Sequence, residues 1–321
     1  MRAAAAPSVD RSRAATGGPA TPHWTRRARL LLGTLVEVGT HAGDEPGGAD
    51  AETLVEAAFA AVVEAQRRLS RFDAASDIAA FNALPAGQSL RVHAPTRTVL
   101  RAAAALRDAT AGLFDITLGS GTHDWALKGD RLRKTGAAVR FDLGGIGKGH
   151  AVDAAIAALR HGGAAGGWVN AGGDLRCFGD AEIRIELRDE QHGGVRGFAA
   201  LAEGAFATSH FGAASRCALY GRGVLEGHRR LQARGAAGVH DALGSRGAFD
   251  KERVGRVMSH ASVAAPSCLW ADALTKVVAA SGDASHPVLA RHGARAWVHP
   301  AKDGASATPA NRDARLVSNA T

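Results

Sequence analysis

The chain has 321 residues, 46% of them hydrophobic and 5% aromatic, with a formal net charge of +8. That length can bury a large core, as one big α/β domain or two smaller ones. The basic residues are scattered and mostly Arg, with a single Tyr and no helix-turn-helix or RNP pattern, so a nucleic-acid partner is not expected. The three cysteines, Cys177, Cys217 and Cys268, lack C-x-x-C spacing and support neither a disulfide framework nor a zinc site.

Residues 1–27 are rich in Ala, Arg, Pro and Ser without periodicity and read as a disordered leader. The run Leu30-Leu31-Leu32 is too short for a signal-peptide core, so neither a signal peptide nor a membrane-spanning helix is expected. Residues 28–40 look strand-like around Gly33-Thr34. A polar loop then leads into a helix over residues 51–69, whose Leu54, Ala58, Val62, Ala65 and Leu69 share one face. In the segment that follows, Asp73 or Ser76 can cap a short helix ending near Asn82. Asp73 and Asp77 read as capping residues rather than a catalytic carboxylate pair. Residues 96–110 form a second amphipathic helix closed by Gly112, and residues 114–119 a turn or short strand.

Residues 139–143 are a short apolar run, followed by four glycines within six positions and then by Val152, Ile156 and Leu159 at helical spacing. That is strand, tight turn, helix. A second glycine cluster, residues 162–167, precedes another short strand that ends in Asn170-Ala171-Gly172-Gly173-Asp174. Glycine lets backbone N–H groups approach a ligand, and Lys148 stands where the turn meets a helix N-terminus, so the place suits a phosphate or pyrophosphate. The spacing matches neither Walker A nor G-x-G-x-x-G, and a bare turn is the alternative reading. Asp153 suits the N-terminal turn of its own helix through the dipole. Residues 182–187 alternate like a strand, 199–209 like a strand pair, and 211–256 are Gly- and Arg-rich without assignable period. Residues 262–265 are strand-like up to Pro266, 268–281 have the Leu269, Ala273, Val277, Ala280 spacing of a helix, and 296–298 are a last strand. Residues 301–321 read as a disordered tail.

Six segments stand in an order that resembles the FAD:protein FMN transferase (ApbE) family. They are Gly33-Thr34, Ser70-Arg71-Phe72-Asp73 with Ser76-Asp77-Ile78 and Phe81-Asn82, Gly112 to Gly119, Asp142 to Gly149, Val169 to Asp174, and Ala265-Pro266-Ser267 with Ala271-Asp272-Ala273-Leu274-Thr275. The resemblance spans roughly residues 28–300. It implies an α/β (α+β) fold of the T-fold type, with mixed sheets flanked by helices in a single compact domain. It further implies that FAD binds with its pyrophosphate over the glycine turn. FMN then passes to a Ser or Thr hydroxyl of an acceptor flavoprotein, AMP is released, and Mg2+ sits on the pyrophosphate. Carried over residue by residue, it puts Gly145, Lys148, Asn170, Gly172, Gly173 and Asp174 beside the nucleotide, Phe72 near the flavin, and Asp115 and Thr117 in the adenine region. Asp272, Thr275 and the carbonyl of Gly147 would hold the metal. Lys148, His210 and Lys276 are the candidates for the chemistry.

The chain departs from that pattern. Four residues after Asp272 the family has Thr, whereas here Lys276 follows Thr275. Its ammonium can form an i,i+4 ion pair on a solvated face, or sit where the metal would be and weaken the metal requirement. The expected His-His-Ile-Ile-Asp-Pro-type segment is missing: Thr208-Ser209-His210 is present, but His228, His240 and Asp241 do not reproduce it. Gly147 replaces a usual Ala. The alternatives to a working transferase are a flavin-binding member acting as an FAD carrier or slow FAD pyrophosphatase, and a non-enzymatic protein whose glycine turns are structural. The family is often exported, but this N-terminus has neither lipobox nor apolar core, which leaves the location open between a cytoplasmic protein and a native start that differs from this one. The acceptor is not named by the sequence.

Overall fold

The computed structural model of the chain describes residues 23–42, 49–188, 194–210, 258–300 and 315–317. Residues 211–256, and with them Cys217, His228, His240 and Asp241, lie outside the described residues. So do residues 1–22.

The first hairpin, β1 (Thr25–Leu31) and β2 (Thr34–Ala42), is closed by Leu32 and Gly33 at φ 56° and 71°. A two-residue hairpin turn needs both central residues left-handed, which Gly33 meets at no cost and Leu32 only with help. The Gln66 side chain supplies it, accepting from the Leu32 N–H at 2.6 Å. Gln66 belongs to α1 (Ala51–Leu69), which Asp50 caps by accepting from Thr53 N at 2.7 Å. Next come α2 (Asp77–Ala83), β3 (Ser89–Arg91), α3 (Ala94–Ala109), β4 (Trp125–Lys128), β5 (Arg131–Lys134), α4 (Gly147–His161), β6 (Ala164–Ala171) and β7 (Asp174–Phe178). The chain continues through β8 (Ile183–Arg188), β9 (Val195–His210), β10 (Met258–Ala265), α5 (Cys268–Ser281), α6 (Val288–Arg291), β11 (Arg295–Pro300) and β12 (Arg315–Val317).

The main sheet runs β1-β2-β6-β7-β9-β10-β11, with β8 and β12 also paired to β9; β3, β5 and β4 make a small second sheet. Every pair is antiparallel except β12 with β9, so the fold is the mixed α/β arrangement expected. Helices α1, α4 and α5 pack side by side and cover β2, β6 and β9. Val36, Val38, Phe59, Val62, Ile156 and Val169 fill the space between. A second core joins α2, α3 and α5 to the small sheet through Ile78, Phe81, Leu100, Leu132, Phe141 and Leu274. The two cores meet along α5, and the glycine turn before α4 lies there.

Four local expectations are corrected. Residues 139–143 belong to no strand, because side chains and a turn take their polar groups. The Asn82 amide bonds both the Phe141 N–H (2.7 Å) and its carbonyl (3.0 Å), and Asp142 N–H reaches the Ile116 carbonyl at 2.8 Å. The expected pair at 199–209 is part of one sixteen-residue strand, β9. Gly204, at φ 107°, lets it turn from β8 toward β7 and β10 without breaking. Residues 25–27, expected to lie in a disordered leader, belong to β1, which begins at Thr25. The tail expected to be disordered over 301–321 contains β12, laid parallel on Ala200, Leu201 and Glu203. The sheet β3-β5-β4 was not anticipated, its strands being only three or four residues long.

Candidate functional site

The glycine turn is built by short-range bonds. Asp142 accepts from Gly144 N at 2.8 Å, and Gly147 N donates to the Leu143 carbonyl at 2.7 Å, which starts α4. That helix's N-cap residue, Ile146, offers no side-chain cap. Its early amides therefore need partners from elsewhere. Gly149 N donates to Asp272 Oδ2 at 3.1 Å, while the amides of Gly145 and Lys148 have no partner among the described residues.

Asp272 is within reach because the N-termini of α4 and α5 abut. A Cβ on Gly149 would stand 2.2 Å from the Cys268 carbonyl oxygen, so only glycine permits this approach. Each helix supplies the other's cap. Asp272 of α5 takes the α4 amide, and Asp153 of α4 accepts from Cys268 N (2.8 Å) and Leu269 N (2.9 Å) at the start of α5. Arg176 on β7 steadies Asp153 at 2.6 Å. Asp153 thus serves the neighbouring helix rather than its own.

Four charges meet at this junction. Lys148 is ion-paired with Asp174, the first residue of β7, and lies 3.8 Å from Asp272 Oδ2. Lys276 is ion-paired with Asp272 Oδ1 and also donates to the Asp272 carbonyl at 2.9 Å. Asp272, Asp174 and Lys276 are 0%, 2% and 5% exposed, so the i,i+4 pair formed by Lys276 is interior and not on a solvated face. Burial works against the charge of Asp272, but Lys148, Lys276 and the Gly149 amide outweigh it and hold this carboxyl below the ordinary aspartate range. Burial and the Asp272 charge push the Asp174 carboxyl up against the pull of Lys148. For Lys148, burial is overcome by the two carboxylates, which raise its pKa above the usual lysine value. Burial, reinforced by Asp174, Asp153 and Asp272, pushes the Cys268 thiol up, so it stays protonated and is no nucleophile.

These donors do not fit Mg2+. A magnesium ion asks for near-octahedral hard oxygen ligands. Here Asp272 Oδ1 and the Asp272 carbonyl are engaged by the Lys276 ammonium, and Oδ2 by Gly149 N. The Thr275 hydroxyl bonds the Asp272 carbonyl and Ser209 Oγ, both at 2.7 Å. Asp174 is committed to Lys148. No group of three or more His, Cys, Asp or Glu side chains able to hold a metal occurs among the described residues.

The remaining predicted residues surround this junction at differing removes. Gly172 and Gly173, at φ 62° and 101°, close the β6–β7 hairpin that delivers Asp174. Asn170 Oδ1 accepts from Gly173 N at 3.0 Å and fixes that turn. A Cβ on Gly172 would meet the Thr34 hydroxyl at 2.5 Å, so the second glycine turn packs directly on Thr34 after the first hairpin turn. Phe72 is 76% exposed under the Arg71 guanidinium, and Arg71 reaches Asp142 at 3.5 Å, so this ring belongs to the rim of the glycine turn. Asp115 and Thr117 are buried and bonded to each other at 2.7 Å, and Thr122 adds a bond at 2.6 Å. Their side chains shape the turn that holds Asp142. His210, at the end of β9, has its ring 4.9 Å from that of His260 on β10.

Sequence reasoning missed the reciprocal caps of Asp153 and Asp272. Asp77, read as a capping residue, serves not α2 but the start of α3, through His93 N and Thr96 Oγ1, both at 2.7 Å, while Ser76 caps α2. Such contacts join residues far apart in the chain and leave no local pattern.

The family model for the ApbE family matches residues 32–132 and 123–222, and the chain belongs to that family. A curated relative from Rhodobacter capsulatus, named FAD:protein FMN transferase, is 28% identical over 208 residues. That match takes in 54% of this chain and only 39% of the relative's length. Among solved structures, the chain resembles the flavin transferase ApbE of Vibrio cholerae (TM-score 0.66, 19% identity, 88% of this chain and 95% of that one). It also resembles the flavinyl transferase ApbE of Pseudomonas stutzeri in its apo form (TM-score 0.59, 22% identity, 81% and 84%). The ApbE protein of Thermotoga maritima aligns with TM-score 0.65, 21% identity, and 87% and 94% coverage.

Proposed function

We propose that the chain is an FAD:protein FMN transferase. The observation that carries this reading is the buried junction of α4 and α5, where Lys148 and the amides of Gly145 and Lys148 lie at one helix N-terminus beneath the glycine turn. A diphosphate is the ligand that this concentration of donors and helix-end charge suits best. Membership of the ApbE family and the name of the curated relative support the same choice.

In this reading the FAD pyrophosphate lies over residues 144–149, held by Lys148 and the turn amides. Asn170, Gly172, Gly173 and Asp174 form the second wall, Asp174 orienting the Lys148 ammonium. Phe72 covers the flavin at the rim. Asp115 and Thr117 shape the adenine side. The acceptor's Ser or Thr oxygen attacks the phosphorus of the FMN half. The bond from that phosphorus to the bridging oxygen breaks, AMP leaves with that oxygen, and the hydroxyl proton passes to a base, for which His210 is the candidate. Phosphoryl transfer asks the protein mainly to position and to neutralise charge. Lys148 and the amides meet that demand.

The test is incubation with FAD and a domain bearing a Ser or Thr flavinylation site, following AMP and covalent flavin together. AMP with flavinylated acceptor is expected. AMP without covalent flavin makes the protein a pyrophosphatase, and bound FAD with neither product makes it a carrier; either contradicts the transferase reading.

A further inference from the structure

We infer that the Lys276 ammonium occupies the place of a divalent cation at Asp272, so that this protein handles its diphosphate ligand without binding a metal. The inference rests on the flavin reading of the glycine turn but makes a separate claim, about what neutralises Asp272.

The oxygens of Asp272 and Thr275, the residues expected to hold a cation, already have hydrogen-bond or ion-pair partners. Lys276 takes Asp272 Oδ1 and shares the Asp272 carbonyl with Thr275, and Gly149 N takes Oδ2, with Lys148 3.8 Å away. The Thr275 hydroxyl is tied between the Asp272 carbonyl and Ser209. With two lysines against two aspartates, the junction is neutral before any ion arrives. A cation would have to displace the buried Lys276 ammonium from Asp272, its ion-pair partner. An ammonium supplies the charge of a monovalent ion but not octahedral coordination. It can fix Asp272 as the anchor of the Gly149 amide and of Lys148, which face the ligand, but cannot itself bridge phosphate oxygens as a metal does. Lys276 is in this sense a positioning residue.

The test is a titration of Mn2+, a paramagnetic probe, into the full-length protein with and without FAD, counting bound ion by electron paramagnetic resonance. The wild type is expected to take up none at Asp272. Lys276→Thr and Lys276→Met, checked for folding by circular dichroism, are expected to gain one site at least about tenfold tighter than any wild-type binding. Asp272→Asn placed on top of either change should remove it. A wild-type Mn2+ site that disappears in Asp272→Asn overturns the inference by itself, as do folded Lys276 variants that still bind none. If the variants do not fold, the wild-type titration decides alone. FAD binding that appears only when Mn2+ is present overturns the role of Lys276 and leaves the flavin reading standing. Absent FAD binding with or without Mn2+, with Mn2+ uptake seen only in the Lys276 variants, overturns the flavin reading and leaves the role of Lys276 intact.

Discussion

Lys148 is held by two carboxylates, and both the ligand site and its pH behaviour follow from that. Because its pKa is raised, its contribution to stability is complete below the ordinary lysine value of 10.5 and falls away as pH climbs beyond it. Melting temperature should therefore drop above about pH 10.5 in the wild type, and Lys148→Met should lack that component of the drop. A melting series across this range that is the same in both proteins would contradict the assignment. Asp272 behaves in the opposite sense: its lowered pKa gives stability that is complete above the ordinary 3.8 and is lost as pH falls below it. Lys148 and Asp174 were legible in the sequence because each lies in or beside a glycine motif, and Asp272 because the segment Ala271 to Thr275 carries the family resemblance. The depth of the Lys276 pair was not, since an i,i+4 lysine looks alike in sequence on a wet face and a buried one.

The reciprocal capping of α4 and α5 is what holds the junction together. Removing the Asp153 carboxylate frees two amides and leaves Arg176 without its partner, so Asp153→Ala should cost about 2 kcal/mol or more in denaturant unfolding. An unfolding midpoint unchanged from the wild type would contradict that role. Gly149→Ala should cost about 1–3 kcal/mol by forcing α4 away from the Cys268 carbonyl, and FAD affinity should fall with it because Asp272 loses its amide. The helices over 51–69 and 268–281 were readable to the residue, since their apolar spacing is long and unbroken. The segment 139–143 misled because a short apolar run signals burial without saying who takes its backbone bonds. Asn82, 59 positions away, answered that question. The strands of β3-β5-β4 are too short to show any period.

At the scale of the whole molecule, the sheet brings four distant segments to one point: the turn after residue 143, the β6–β7 hairpin, the start of α5 and the rim loop bearing Arg71 and Phe72. Their order along the chain was visible, which made the family resemblance specific although each motif alone was weak. What sequence could not supply was the convergence itself, which depends on β2, β6, β7 and β9 lying side by side under α1, α4 and α5. The central claim is that this point of convergence grips the diphosphate of FAD. Equilibrium titration of the wild type and Lys148→Met with FAD and with riboflavin, which has the same ring but no phosphate, tests it directly. Wild type is expected to prefer FAD, and Lys148→Met to lose about 10- to 100-fold in FAD affinity, the worth of a charge-assisted bond, with riboflavin binding unchanged. Equal affinity for the two ligands, or FAD binding indifferent to Lys148, would contradict it.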